Sequence, residues 1–282
     1  MPFTANGRMW LGLAAVICGT VAGPSSSRAA EPPRELPREV LFDPLLADPR
    51  WPHFSAAWHQ YGGDDALDNV GAVSLGEDFS FYQDAAAGGR WGIGLQAGVF
   101  SIFDLDADSR DLVNADYWVG VPLTWRKGPW QGIARVYHQS SHLGDEFLLR
   151  TRPRRINLSY EGVDLRLSRY LAGDALRLYG GGGVLVHRIP SDLGRWSVQA
   201  GVEYRGPATG LLRPVAALDL AATEEAGWKL DVSARAGAMI ESREDSDYRI
   251  LLALEYFRGR NPNGQFYGTA VDYYGVGVHV YF

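Results

Sequence analysis

The chain has 282 residues, a formal net charge of −6 and an isoelectric point near 5.5. This acidic balance argues against a nucleic-acid partner, which would require a basic face. The single cysteine, Cys18, lies in a segment that we expect to be removed, so the remaining chain can form neither disulfides nor thiolate metal sites.

Residues 1–29 have the pattern of an export signal peptide. Arg8 gives a positive start, Met9 to Ala22 is apolar but short, and Ser27-Arg28-Ala29 offers the small residues that a signal peptidase reads. We predict cleavage after Ala29 or Ala30. No later segment is apolar for about twenty residues, as a membrane-spanning helix would require.

Residues 30–51 form a charged, proline-rich leader. Its prolines are Pro32, Pro33, Pro37, Pro44 and Pro49. Because proline favours extended backbone, we expect this leader to lie extended on the periplasmic side of the following domain or to tuck into its mouth.

Residues 52–282 are predicted to form an all-β domain, a single antiparallel transmembrane β-barrel with an apolar outside and a polar lumen. Segments that alternate between apolar and polar residues are bounded by aromatics eight residues apart, as in Trp196 to Tyr204 and Tyr274 to Phe282. On a strand such a pair points to one face and spans roughly 26 Å along the strand, or roughly 20 Å vertically at a tilt of about 40°. This approaches the height of the apolar band of a membrane barrel. A soluble β-sandwich or lipocalin-like barrel is the alternative.

About twelve strands are expected, with both chain ends on the periplasmic side. The predicted strands are 53–61, 70–82, 91–103, 112–126, 130–140, 155–169, 175–187, 195–205, 212–221, 227–241, 247–258 and 271–282. Short turns should follow the fourth and sixth strands, and longer outward loops the first, fifth and eleventh. A change of apolar parity predicts a β-bulge near Glu161-Gly162.

The lumen-facing parity carries charges of both signs. We expect ion pairs there that fill a narrow, occluded bore, formed by Arg135, Arg177, Glu203, Asp231, Arg235 and Glu255. A small selective channel and a ligand cavity are the alternatives.

One segment has the composition of a catalytic site. His138 and Ser140 lie on the lipid-facing parity, where polar groups are costly, and His142, Asp145 and Glu146 follow closely. Histidine as base, serine as nucleophile and a carboxylate that orients the imidazole would suit acyl transfer. The candidate triad is His138, Ser140 and Glu146.

Several alternatives accompany this triad. Asp145 or Glu161 could provide the acid instead, with His142 as a further candidate. If the pair is catalytic, a ring nitrogen of His138 should lie within about 3.5 Å of Ser140 Oγ, with a carboxylate on the other nitrogen. The same side chains could instead order a loop, contact lipopolysaccharide, or hold a metal ion, although no metal and no cofactor is expected.

Two family resemblances bear on these residues. The His138-x-Ser140 pair resembles that of the outer-membrane lipid A deacylases, which implies hydrolysis of an acyl ester of lipopolysaccharide. In those enzymes asparagine follows the serine, whereas Ser141 follows here, and their acid comes from the next strand, where Glu161 lies.

A broader resemblance covers most of the mature chain. The stretches Leu41 to Arg50, Asn114 to Tyr117, Tyr137 to Phe147, Tyr179 to Gly183 and Asn261 to Tyr267 resemble a bacterial outer-membrane barrel family known only as a domain of unknown function, number 1207 of its series. The resemblance implies an outer-membrane location and leaves the activity open. The expected partners are outer-membrane lipid, lipopolysaccharide and, through Phe282, the barrel-assembly machinery, with the chain as a monomer.

Overall fold

The computed structural model describes residues 32–62, 67–153, 155–241 and 248–282. The signal peptide predicted for residues 1–29 lies outside the described residues. In the part of the chain that is described, no helix is both long enough and apolar enough to cross a membrane.

The described residues form one antiparallel sheet of thirteen strands. The strands are β1 Arg34–Glu35, β2 Phe54–Gly62, β3 Asn69–Ala86, β4 Gly89–Asp104, β5 Leu112–Lys127, β6 Trp130–Leu143, β7 Leu158–Leu171, β8 Leu176–Ile189, β9 Trp196–Arg205, β10 Leu212–Thr223, β11 Leu230–Ile240, β12 Arg249–Arg260 and β13 Ala270–Tyr281. Helix α1, Asp145–Thr151, follows β6, and a 3₁₀ turn, Gly264–Phe266, precedes β13.

The sheet closes into a barrel of 12 strands, β2 to β13. Each of these strands pairs with the next along the chain, and β13 pairs with β2, so the barrel has no free edge. The short strand β1 pairs with the part of β3 that extends beyond β2. The prediction of a single twelve-stranded antiparallel barrel is confirmed.

Burial of the two faces is the reverse of that in a soluble β-protein. Leu254 and Tyr274 on the outside are 66% and 62% exposed, whereas Arg177 and Glu203 in the lumen are 1% exposed. An apolar outer face and a charged interior suit a barrel surrounded by lipid. The alternative of a soluble sandwich is wrong, because the alternating residues turn their apolar parity outward.

The two ends of the barrel differ in their connections. The end here called the turn end has the short connections at 128–129 and 172–175, and β2 begins and β13 ends there. The opposite end, the loop end, has the connections 144–157, which includes α1, and 261–269, which includes the 3₁₀ turn. The short connections expected after the fourth and sixth strands and the long ones expected after the fifth and eleventh therefore lie where they were predicted. The connection after the first strand lies partly outside the described residues.

Part of the leader lies inside the barrel. Residues 41–53, called the inner segment, contain fully buried apolar side chains: Leu41, Phe42, Leu45, Leu46, Ala47 and Trp51. Phe42, Leu45 and Trp51 pack against Ile133 and Tyr179 of the barrel wall. Leu46 and Ala47 contact a second group of lumen residues from β10 to β13.

Buried arginines hold the inner segment. Arg177 donates hydrogen bonds to the main-chain oxygens of Asp43 (2.8 Å) and Pro44 (2.9 Å), and Arg235 donates to that of Leu46 (2.8 Å). These guanidinium groups satisfy carbonyl oxygens that would otherwise be buried without partners.

Asp43 anchors the same segment through its side chain. Its carboxylate pairs with Arg126 at 3.0 Å and accepts a hydrogen bond from the Tyr170 hydroxyl at 2.5 Å. Burial alone would raise the pKa of Asp43, but Arg126 and Arg177 outweigh burial and hold this pKa well below its usual range. Asp43 is therefore an ionised anchor at neutral pH.

Candidate active site on the outer face

Three ionisable side chains occupy one row across strands β6, β7 and β8. His138 of β6 lies directly opposite Glu161 of β7, and Glu161 lies directly opposite His187 of β8. All three point outward from the lumen, with side chains 43%, 39% and 67% exposed.

A β-bulge brings His187 into this row. The pairing of β7 with β8 shifts between Glu161 and Gly162, where a bulge was predicted, but the extra residue lies on β8 and not on β7. Glu161 pairs with His187 and Gly162 with Leu185, so Val186 is the extra residue. Because the bulge leaves Val186 and His187 both exposed, His187 is carried onto the outer face beside Glu161.

Glu161 bonds both histidines at once. Its Oε1 lies 2.8 Å from Nδ1 of His138, and its Oε2 lies 2.6 Å from Nδ1 of His187. An ionised carboxylate only accepts hydrogen bonds, so Nδ1 of His138 is the donor in this pair. Neutral His138 then carries its free lone pair on Nε2, the state that a general base requires.

Ser140 lies next to this row on the same face. It follows His138 by two residues on β6, a spacing of about 6.6 Å along a strand, and it is half-buried opposite Ser159 of β7. Among the described residues the Ser140 side chain has no hydrogen bond to His138, so the expected contact within about 3.5 Å is not formed. Such contacts are often loose before a substrate binds.

The carboxylate that contacts His138 is that of Glu161, whereas the candidate triad assigned this role to Glu146. Glu146 and Asp145 begin α1, and both are exposed. The helix is held to the barrel mouth elsewhere, by the buried Phe147 and by Arg150. In the described structure neither carboxylate bonds His138. Both residues are close to His138 in sequence, but the helix that carries them does not bring them to the outer face of β6.

His142 also lies apart from the row. It is exposed on the same face of β6, and its ring meets Tyr117 edge-on, with ring centroids 5.7 Å apart. Within the described ranges, no group of three or more His, Cys, Asp or Glu side chains has the arrangement of a metal site. His142 therefore joins neither the hydrogen-bonded row nor a ligand cluster.

The lumen charges pair within the barrel. Arg135 makes two hydrogen bonds to Asp164, at 2.9 and 2.7 Å. Arg177 meets Glu203 at 3.3 Å. Arg235 meets Glu255 at 3.0 Å.

Asp231 departs from the expected set of lumen ion pairs. Its carboxylate accepts a hydrogen bond from the main-chain nitrogen of Arg260 at 2.6 Å, and it forms no ion pair with a described residue. Asp231 is the second residue of β11, at the loop end, where the main chain of β12 at Arg260 provides its donor.

Comparison with known proteins identifies the family. The family model DUF1207, described as a protein of unknown function, matches residues 14–282. The chain belongs to this family. No curated protein matches the chain in sequence.

Solved structures with a similar fold are outer-membrane barrels. Outer membrane phospholipase A from Escherichia coli has a TM-score of 0.58 at 12% identity, covering 86% of this chain and 94% of that chain. The Salmonella typhi outer membrane phospholipase dimer with bound calcium has a TM-score of 0.55 at 12% identity, covering 81% and 90%. At these identities the likeness concerns the fold alone.

Sequence reasoning missed His187, and it allowed the leader to enter the barrel mouth but not to lie buried across the lumen. The available signal for His187 was the break in alternation at Val184-Leu185-Val186-His187. For the inner segment it was the apolar group Leu41, Phe42, Leu45 and Leu46 within an otherwise charged leader.

Proposed function

We propose that this protein is an outer-membrane barrel that hydrolyses acyl esters of membrane lipids at its outer face. Ser140 is the nucleophile, His138 the general base and Glu161 the residue that orients His138. The observation that carries the proposal is the 2.8 Å contact from His138 Nδ1 to Glu161 on the lipid-facing surface. Ser140 lies on the same face, two residues after His138 on β6. Polar groups facing lipid without a function would only cost stability.

The reaction follows from the roles of these atoms. Ser140 Oγ attacks the ester carbonyl carbon while its proton moves to His138 Nε2. The ester C–O bond then breaks, and His138 returns the proton to the departing alcohol, which leaves an acyl group on Ser140. Water attacks the acyl carbon and gives a proton to His138. The bond from this carbon to Ser140 Oγ then breaks, His138 returns the proton to Oγ, and the fatty acid leaves. Glu161 stays ionised and stabilises the imidazolium.

The fold likeness supports the location and the substrate class. Both solved relatives are outer membrane phospholipases by name, and they share the barrel architecture at low identity. In the proposed orientation the loop end faces outward, so the row of His138 lies at the depth of the outer leaflet. Lipopolysaccharide and phospholipid are both available there.

We further propose that the lumen is closed to solutes, in preference to a small selective channel. The inner segment crosses the bore, and its backbone is held by Arg177 and Arg235. Arg135 with Asp164 fills the space beside Trp51, because the guanidinium lies 5.0 Å from that ring. Planar-bilayer recordings should therefore give little or no conductance, and a large stable conductance would support the channel instead.

Fatty-acid release from purified protein tests the hydrolase proposal. Mixed micelles of detergent with phospholipid, or with lipopolysaccharide, are the two substrates. Ser140→Ala and His138→Asn should abolish release from at least one of them. Ser159→Ala is the matched control, because Ser159 lies opposite Ser140 on the same face and has no proposed role.

Heat-modifiable migration verifies that each variant forms the barrel. If neither lipid yields release that depends on Ser140, the hydrolase proposal is wrong. The protein would then be a closed barrel that only contacts outer-leaflet lipid.

A further inference from the structure

A second site opens inside the barrel, away from the row of His138. It is a cavity of about 280 Å³ between the inner segment and the loop end. Asp48, Pro49 and Arg50 form its floor, and residues of the connections 190–195 and 261–269 form its mouth. Its size is near the lower limit for small-molecule sites.

The cavity's acidic side chains already accept hydrogen bonds from the protein. They are Asp48, Asp164, Asp219, Glu225 and Asp231. Among the arginines, Arg50 pairs with Asp116 at 2.9 Å, and Arg135 and Arg166 pair with Asp164. Most charged side chains of the cavity wall therefore already have hydrogen-bond or ion-pair partners within the protein.

Arg260 differs from the paired arginines of the cavity, and the remaining basic residue, Arg195, is exposed. Arg260 is half-buried, and its guanidinium forms neither an ion pair nor a hydrogen bond with any described residue. The adjacent Asn261 is 2% exposed, and its Nδ2 has no described partner. Unpaired donors at a partly buried site are costly, and an anionic ligand would satisfy them.

Aromatic and hydroxyl groups complete the wall. Trp118 stacks on Tyr137 with ring centroids 5.5 Å apart, and Tyr160 meets Tyr137 edge-on. The hydroxyls of Tyr137 and Tyr160 make no hydrogen bond to other described residues, and both tyrosines line the cavity. Phenolic hydroxyls donate and accept, so they suit a ligand with several hydroxyl groups.

We propose that this cavity binds an acidic sugar, a hydroxyl-rich ring with one carboxylate. The carboxylate pairs with Arg260, with Asn261 as a second donor after a small side-chain adjustment. The ring lies against Tyr137 and Tyr160 and exchanges hydrogen bonds with their hydroxyls. This site does not depend on the proposed hydrolase, because it lies on the lumen side of the barrel wall.

Calorimetric titration of the full protein in detergent tests the assignment with two matched sugars. D-galacturonate and D-galactose share one ring and differ in the carboxylate. Galacturonate should bind saturably and at least about tenfold more tightly than galactose, as a charge-assisted hydrogen bond predicts. Arg260→Gln should reduce galacturonate affinity to the level of galactose, and Tyr160→Phe should weaken both sugars.

Arg169→Gln is the control, because Arg169 is exposed on the outer face at the turn end. Each variant must first show the heat-modifiable migration of the folded barrel; if Arg260→Gln does not fold, Tyr160→Phe and the two-sugar comparison decide. Absence of saturable galacturonate binding overturns the proposal. Equal affinity for the two sugars, or unchanged binding in Arg260→Gln, overturns the assignment of an acidic ligand to Arg260.

Discussion

Replacing Arg177 should release the inner segment while the barrel stays closed. Arg177 is 1% exposed, and its guanidinium donates to the main-chain oxygens of Asp43 and Pro44 and pairs with Glu203. Arg177→Met keeps most of the side-chain volume and removes every one of these donors. The barrel wall retains its own strand hydrogen bonds, so the change should act on the segment.

The free-energy cost of Arg177→Met follows from the burial of the Arg177–Glu203 ion pair. Breaking a buried ion pair from one side costs about 3–5 kcal/mol, because the remaining charge stays desolvated. Glu203 keeps a hydrogen bond from the Leu46 main chain at 2.8 Å, which places the expected cost at the lower end of that range. Since about 1.4 kcal/mol is a factor of ten, the open population should rise roughly 100-fold.

Thiol labelling measures this opening directly. Ala47→Cys, in a chain that also carries Cys18→Ala, places the probe at a position that is 0% exposed in the closed state. When closing is fast, the labelling rate follows the open population. Arg169→Met, at an exposed arginine on the outer face, is the control and should leave the rate unchanged. Acceleration of less than about threefold in folded Arg177→Met would refute the view that Arg177 anchors the segment.

The remaining predictions concern the outer row and the anchor Asp43. His187→Asn should lower kcat/KM for the proposed lipid hydrolysis about tenfold, because it alters one of the two histidine bonds on the Glu161 carboxylate. An unchanged kcat/KM would show that His187 does not help to position Glu161. Asp43→Asn should lower the urea midpoint at pH 7. The difference from wild type should shrink as the pH falls below about 4, because the depressed pKa of Asp43 stabilises the folded state above the pKa of the unfolded chain and this contribution is lost in acid. A difference that stays constant with pH would contradict the role of ionised Asp43 as an anchor. Gly162→Ala should reduce hydrolysis while the barrel still forms, whereas Gly268→Ala, where a Cβ meets nothing within 4 Å, should be neutral in the same assay.

The architecture could be predicted from sequence because strand side chains alternate with a fixed period. Burial by lipid on one face and by the lumen on the other leaves a two-residue pattern in every strand. Strand ends were less accurate. Strand β3 was expected at 70–82 and extends over Asn69–Ala86. Its residue Gln83 is fully buried and donates a hydrogen bond to the main-chain oxygen of Glu39 in the leader. Contacts made by a segment distant in sequence leave no local pattern.

The candidate site was only partly visible for a related reason. His138 and Ser140 share a strand, so their common face follows from the alternation. Glu161 lies beside His138 through the pairing of β7 with β6, and the register of this pairing could not be predicted from the sequence. His187 depends in addition on the one-residue bulge at Val186, which moves every later side chain of β8 to the other face.

Gly162 shows why the outer site depends on the packing of the lumen. Gly162 pairs directly with Tyr137, and these two residues adjoin Glu161 and His138 on the inner side of the same strands. A Cβ at position 162 would lie 2.5 Å from the Tyr137 ring, so any larger residue must displace the ring or separate β6 from β7. Separation of the two strands would change the spacing of His138 and Glu161, whose contact is 2.8 Å long. Packing on the lumen face therefore fixes the strand spacing on which the proposed hydrolytic row depends. Loss of activity in a folded Gly162→Ala barrel would thus report a displaced site, and retained activity would show that the row tolerates movement of Tyr137.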